Sequence, residues 1–184
     1  DRLTALDLET RKPLWTFPTS GDIKAPPLVY RDVIIVGTTD GRIYSLNDDG
    51  QPLWSNTMEP DTFFASPVGE RTKVIYADGK ELVARDIYSG RLVWGRPFRA
   101  ADLIVGSPAV LGRRVYVGTR GGAVYGIDAN RGVAIWKWPA DGVVGPISSS
   151  PVIVDDMIVL RAGQRDIYAI SLDGEELLWQ YSLP

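Results

Sequence analysis

Short apolar runs, each closed by Gly, Asp or Asn, recur along this chain from one end to the other. Between residues 107 and 138 they read SPAVLG, RVYVGT, AVYGID and AIWKW. Their length and their bias to β-branched and aromatic residues are those of strands. The segments between runs, such as TTDGR, LNDDG, ADGK, TRGG and SLDGEE, carry tight-turn residues, and Asp-Gly suits a hairpin. No segment sustains a 3.6-residue apolar period with caps, so the pattern predicts an all-β chain with essentially no helix.

The runs repeat. Trp15, Trp54, Trp94, Trp136 and Trp179 are 39, 40, 42 and 43 residues apart. Pro27, Pro67, Pro108 and Pro151 keep step at 40, 41 and 43, and the last three follow Ser66, Ser107 and Ser150. Two ladders with one period mark an internal repeat, and four antiparallel strands in about 40 residues make a β-propeller blade. One blade cannot bury both of its faces, so neighbours must stack. With strands labelled A to D from the centre outward, residues 2–17 supply only C and D. Complete blades follow near 26–56, 66–96, 107–138 and 150–181. Residues 1–184 therefore read as a single propeller segment of about four and a half blades.

The WD-repeat type needs Gly-His, and the chain has no histidine; kelch repeats run nearer 50 residues. The repeat resembles the PQQ-like, quinoprotein-type β-propeller family, whose tryptophan-docking motif runs Ala-x-Asp-x-x-Thr-Gly-x-x-x-Trp. Ala5, Asp7, Thr10 and Trp15 match it, with Arg11 where glycine is usual. Ala84, Asp86, Ser89, Gly90 and Trp94 match nearly throughout, and Gly126, Asp128, Gly132 and Trp136 match in part. Ser45 to Trp54 is one residue short with Asn47 for the Asp, and Ala169 to Trp179 keeps the spacing with Ser171 for the Asp. The resemblance implies a seven- or eight-bladed ring, of which this chain is an arc. The remaining blades would come from missing chain or from a second copy. A compact four-bladed ring with a spare hairpin is a third arrangement.

In that frame the Asp and Thr/Ser side chains are expected to bond turn amides. Trp15, Trp54, Trp94, Trp136 and Trp179 are expected to wedge between blades as structural residues. Each would remove roughly 150–250 Å² from water, an upper bound of about 4–6 kcal/mol. Phe17, Trp138 and Tyr181, two residues further on, share a strand face with them. A stacking platform for bases or sugars is the other use of such a tryptophan row.

Composition closes some classes. The net charge of −3 gives no reason to expect nucleic acid as partner. No window approaches the 18 or more consecutive apolar residues of a membrane span. With neither His nor Cys, the chain can build no Ser-His-Asp triad, no Cys-His pair and no His/Cys zinc site.

Alternating strand directions put the D–A connections and B–C turns on one face of the disc. The D–A connections TSGDIKAP, MEPDTFFASP, RAADLIVGSP and ADGVVGPISSSP vary most, and function is usually grafted on such loops. Phe63 and Phe64, with Ile104-Val105 and Val143-Val144 at equivalent places, either form an apolar docking rim or tuck under neighbouring blades as core. Asp22, Asp61, Asp102 and Asp141, one per loop, either hold a cation or cap turns. Lys80, Arg120 and Arg165 in the B–C turns either meet an acidic partner or form a solvated rim. NDDG at 47–50 lacks the spaced acidic pattern of a calcium loop and reads as a hairpin turn.

The resemblance implies a non-catalytic scaffold or sensor without cofactor, binding a protein or peptide in the periplasm or outside the cell. Its non-catalytic members include the scaffold lipoprotein of outer-membrane β-barrel assembly. A permanent spacer in an envelope assembly is a close variant. The alternative is a fragment of a quinoprotein dehydrogenase, with PQQ and Ca²⁺ at the channel mouth and an Asp as base. Many such enzymes cover the quinone with a vicinal disulfide, which this chain cannot form.

Overall fold

Local hairpins build the chain into five sheets in sequence order. The computed structural model describes residues 1–60 and 65–184. Phe63, Phe64 and Asp61 lie outside the described residues. Strands β1 (Arg2–Leu6) and β2 (Pro13–Pro18) pair as a two-stranded half blade. The first full blade is β3 (Leu28–Tyr30), β4 (Val33–Thr38), β5 (Arg42–Asn47) and β6 (Pro52–Thr57). The second is β7 (Val68–Glu70), β8 (Lys73–Asp78), β9 (Glu81–Asp86) and β10 (Phe98–Arg99). The third is β11 (Ala109–Leu111), β12 (Arg114–Gly118), β13 (Val124–Asp128) and β14 (Ala134–Trp138). The fourth is β15 (Val152–Val154), β16 (Met157–Ala162), β17 (Asp166–Ser171) and β18 (Leu177–Ser182). All neighbours are antiparallel, the all-β propeller arrangement that the repeat predicts.

The second blade departs from its expected bounds of 66–96. Its outer strand is broken: Val93 N–H still donates to the Ala84 carbonyl at 2.9 Å, and pairing resumes only at Phe98 opposite Leu82. Pro97 has no N–H to give the ladder. Phe98 thus takes the cross-strand place that Trp138 holds opposite Val124 in the third blade. Its ring meets Tyr125 edge-on at 5.3 Å.

The core is a series of seams. Ile75, Leu82, Trp94, Val115, Val117 and Ile127 fill the seam between blades two and three. Ile35, Ile43, Val74, Tyr76 and Val83 fill the one before it, and Tyr116, Val124, Trp138, Ile158, Leu160 and Tyr168 the one after. Each seam removes the apolar face of one blade against the next, which a single blade cannot do.

The periodic residues bond across these seams. Trp15 Nε1 donates to the Asp48 carbonyl at 2.8 Å, Trp54 to Ile87 at 2.8 Å and Trp94 to Ala129 at 3.0 Å. The serine ladder does the same nearer the centre. Ser66 N–H donates to Ser107 Oγ at 2.9 Å, and Ser107 N–H to Ser150 Oγ at 2.9 Å. Pro26 stands at the equivalent place in the first blade and has no N–H to extend the ladder.

Trp136 is the exception. Its Nε1 is buried without a hydrogen-bond partner among the described residues. Its ring lies against Gly126, which stands where other blades carry Ala or Ser. A Cβ there would lie 2.3 Å from the indole Cε2, so the ring has settled onto the strand. The Leu172 carbonyl at this seam accepts instead from Arg114 NH1 at 3.1 Å.

The motif carboxylates hold the C–D turns. Asp7 Oδ1 accepts from Thr10 N at 2.6 Å, Thr10 Oγ1 at 2.7 Å and Glu9 N at 3.1 Å. Asp86 Oδ1 accepts likewise from Ser89 N and Ser89 Oγ, both at 2.8 Å. The Thr10 amide, then its hydroxyl, hold the Asp7 carboxyl below the ordinary aspartate range. The Ser89 amide has the same effect on Asp86, outweighing a smaller desolvation. A carboxyl depressed on folding stabilises above its unfolded pKa, and that stability is lost as pH falls through the lower folded value. Asp78 has the opposite sign, because burial raises it. Melting temperature is therefore expected to hold from pH 7 to about pH 4 and then to fall. Asp86→Asn should flatten that acid limb. A melting temperature that rises on acidification would refute the assignment.

Candidate partner-binding face

The D–A connections and B–C turns do share a face, and backbone bonds weave them together. Each described connection spans two blades. Ala100 N–H donates to Lys80 O and Ile104 N–H to Gly79 O of blade two, while Leu103 O accepts from Arg120 N of blade three. The next connection repeats this: Val144 N–H donates to Gly122 O, and Pro146 O accepts from Gly163 N. The A–B and C–D turns lie together on the opposite face, where Tyr88 OH donates to Asp32 Oδ1 at 2.8 Å.

This weaving decides the fate of the apolar rim residues. Ile104 is 2% exposed and belongs to the core between blades two and three, so its expected place on a docking rim is corrected. It is bridged to Thr119 and held at both ends of its loop, which turns its side chain inward. Val105 is half-buried, and Val144 packs against the next seam. Val143 is the one described rim residue left outward, at 64% exposure.

The charged residues remain at the surface. Lys80 is half-exposed and tethered: Nζ lies 3.4 Å from the Ala101 carbonyl and 3.9 Å from Asp102 Oδ1. Arg120 and Arg165 are exposed. Asp102 caps its own loop by accepting from Leu103 N at 2.7 Å, and Asp22 pairs with Lys24 at 3.4 Å. Asp141 is exposed. No three acidic side chains among the described residues gather as a cation site.

One group on this face escaped sequence reasoning. Asp78 Oδ1 accepts from Glu59 N at 2.7 Å, next to Lys80. Burial, the largest influence, raises its pKa; the Glu59 amide lowers it, and the charges of Glu59 and Glu81 raise it. The only sequence signal was Asp-Gly in ADGK, which reads as turn chemistry.

The comparisons with known proteins agree with the geometry. The family described as outer membrane protein assembly factor BamB matches residues 1–106 and again 101–184. A BamB of Burkholderia pseudomallei is 27% identical over 180 residues, covering 90% of this chain and 45% of that protein. The chain thus spans under half the length of that relative. The crystal structure of BamB from Moraxella catarrhalis superposes with a TM-score of 0.79 at 23% identity, over 97% of this chain and 54% of that one. A quinoprotein ethanol dehydrogenase of Pseudomonas putida is 28% identical over 124 residues, covering 53% of this chain and 20% of the enzyme. Among the described residues no helix is long and apolar enough to cross a membrane. With the repeat, the blades and a family match running from residue 1 to residue 184, the chain belongs to the family of the outer membrane protein assembly factor BamB.

Proposed function

We propose that this chain is part of a non-catalytic propeller scaffold for outer-membrane protein assembly, working in the cell envelope without a cofactor. The observation that carries this reading is the family match over the whole chain. The face bearing the D–A connections is its partner-binding face. That face carries exposed Val143, exposed Arg120 and Arg165 and the half-exposed Lys80, so it offers apolar contact and positive charge. The partner this chemistry suits is a protein segment with carboxylates around an apolar centre.

The test is site-specific photo-crosslinking in a Gram-negative envelope. Probes at Arg120 and Arg165 should capture an outer-membrane assembly protein. Probes at Arg31 and Arg113, in A–B turns of the opposite face, should not. Equal capture from both faces would refute the assignment. The partial likeness to a quinoprotein dehydrogenase makes that the second reading. If PQQ with Ca²⁺ raises the melting temperature of the chain, the scaffold reading fails.

A further inference from the structure

Blades two and three place a cation at the same point of their ladders. Lys73 stands opposite Glu70 and Asp86, and Arg114 opposite Leu111 and Asp128. Both reach into the following seam, Lys73 to the Ala129 carbonyl at 2.9 Å and Arg114 to the Leu172 carbonyl at 3.1 Å. They differ in counter-charge. Glu70 Oε2 lies 2.6 Å from Lys73 Nζ, whereas Leu111 holds the corresponding place beside Arg114. Among the described residues no carboxylate lies within 4.0 Å of the half-buried Arg114 guanidinium. A cation that has given up part of its hydration is stabilised by an acid partner, and blade three supplies none.

The same seam holds an unmet donor. Asp48, Ile87 and Ala129 follow Asn47, Asp86 and Asp128, and their carbonyls accept from Trp15, Trp54 and Trp94. Leu172 follows Ser171 in the same way, but its carbonyl accepts from Arg114. Trp136 Nε1 is buried with no partner among the described residues, at a cost of about 1–3 kcal/mol.

Arg114 also lines a cleft of about 630 Å³ between the outer strand of blade three and the C–D turn of blade four. Lys137 is a second cation on its wall, with Nζ 3.3 Å from the Gly142 carbonyl. Ile135, Trp138 and Pro139 make the wall partly apolar. Asp173 and Glu175 line it too. Asp173 Oδ1 is engaged by its own turn, accepting from Ser171 Oγ and, at 3.2 Å, from Glu175 N. These two acids oppose a doubly charged ligand more than a singly charged one. The volume is that of a small-molecule site.

We propose that this cleft binds an organic carboxylate with an apolar body. The carboxylate pairs with Arg114, as Glu70 pairs with Lys73, and the apolar body lies on Ile135 and Pro139. Arg114 then leaves the Leu172 carbonyl, and Trp136 Nε1 donates to it as the other three tryptophans do to theirs. The exchange gives the guanidinium a charged partner and the indole its missing bond, so the ligand is favoured twice.

The test is a titration of the ¹⁵N-labelled chain with benzoate, read at the Trp136 indole N–H signal and assigned with Trp136→Phe. Benzoate should move that signal downfield in a saturable way, and the neutral analogue benzamide should not. Arg114→Met frees the Leu172 carbonyl, so its Trp136 signal should lie downfield without ligand and should not respond to benzoate. Leu111→Glu keeps Arg114 and adds the acid that blade two carries, so it should weaken benzoate binding about tenfold or more. N-acetylphenylalanine presents the same group as a peptide's end. Tighter binding than benzoate assigns the site to a peptide terminus, and weaker binding assigns it to a free acid. The proposal is overturned if benzoate leaves the Trp136 signal in place, if benzamide moves it equally, if Arg114→Met keeps the wild-type signal and response, or if Leu111→Glu binds benzoate as the wild type does.

Discussion

Trp94→Ala is expected to cost this chain about 3–5 kcal/mol of unfolding free energy, read from urea titration, and roughly 6–20 °C in melting temperature. Trp94 is 2% exposed, the most buried of the five periodic tryptophans. It sits in the core of the seam between blades two and three, against Gly132. Truncation would leave a cavity that the surrounding strands cannot close, since both blades are held by their own ladders. The Ala129 carbonyl would also lose a donor. Trp179→Ala provides the comparison, because its ring is 42% exposed and no other blade among the described residues covers it. Its cost should stay below about 1 kcal/mol. Similar costs for both would mean that the seams contribute little to stability.

Lys73→Met is expected to cost a similar amount, about 3–5 kcal/mol, for an electrostatic reason. Lys73 Nζ lies 2.6 Å from Glu70 Oε2, and both side chains are 7% exposed. The ammonium also donates to the Ala129 carbonyl at 2.9 Å and to Asn130 Oδ1 at 3.2 Å, both in the next blade. It therefore neutralises a buried carboxylate and ties two blades together. Methionine would fill the volume and leave Glu70 with the exposed Arg71, whose Nε is 3.4 Å away, as its charged partner. The double variant Glu70→Leu with Lys73→Met removes the stranded charge and should recover most of the loss. If it is no more stable than Lys73→Met alone, the buried carboxylate is not the cause.

The repeat, the strand order and the seam tryptophans were legible in the sequence because they are local or strictly periodic. Hairpins pair residues a few positions apart, and the tryptophans recur at one strand position. The rim was less legible. Ile104 and Val143 occupy equivalent places in two D–A connections and look alike as sequence. One is clamped between Gly79 and Thr119 and buried, while the other points to solvent. Lys80, Arg120 and Arg165 form one set in the B–C turns, yet among the described residues only Lys80 has a carboxylate within 4 Å, from Asp102. The broken outer strand of blade two was hidden for a similar reason. Pro97 signals a break, but where pairing resumes depends on Leu82 across the sheet.

By itself the sequence determined the blade, its four strands and the need for blades to stack, because those follow from short strand-like runs, turn residues and a period of about 40 residues. Tertiary structure alone decided which side chains bridge blades. Lys73 reaching the Ala129 carbonyl and Arg114 reaching the Leu172 carbonyl both join positions far apart in the chain. Each depends on the space left between two folded blades, and that space exists only once both faces are built.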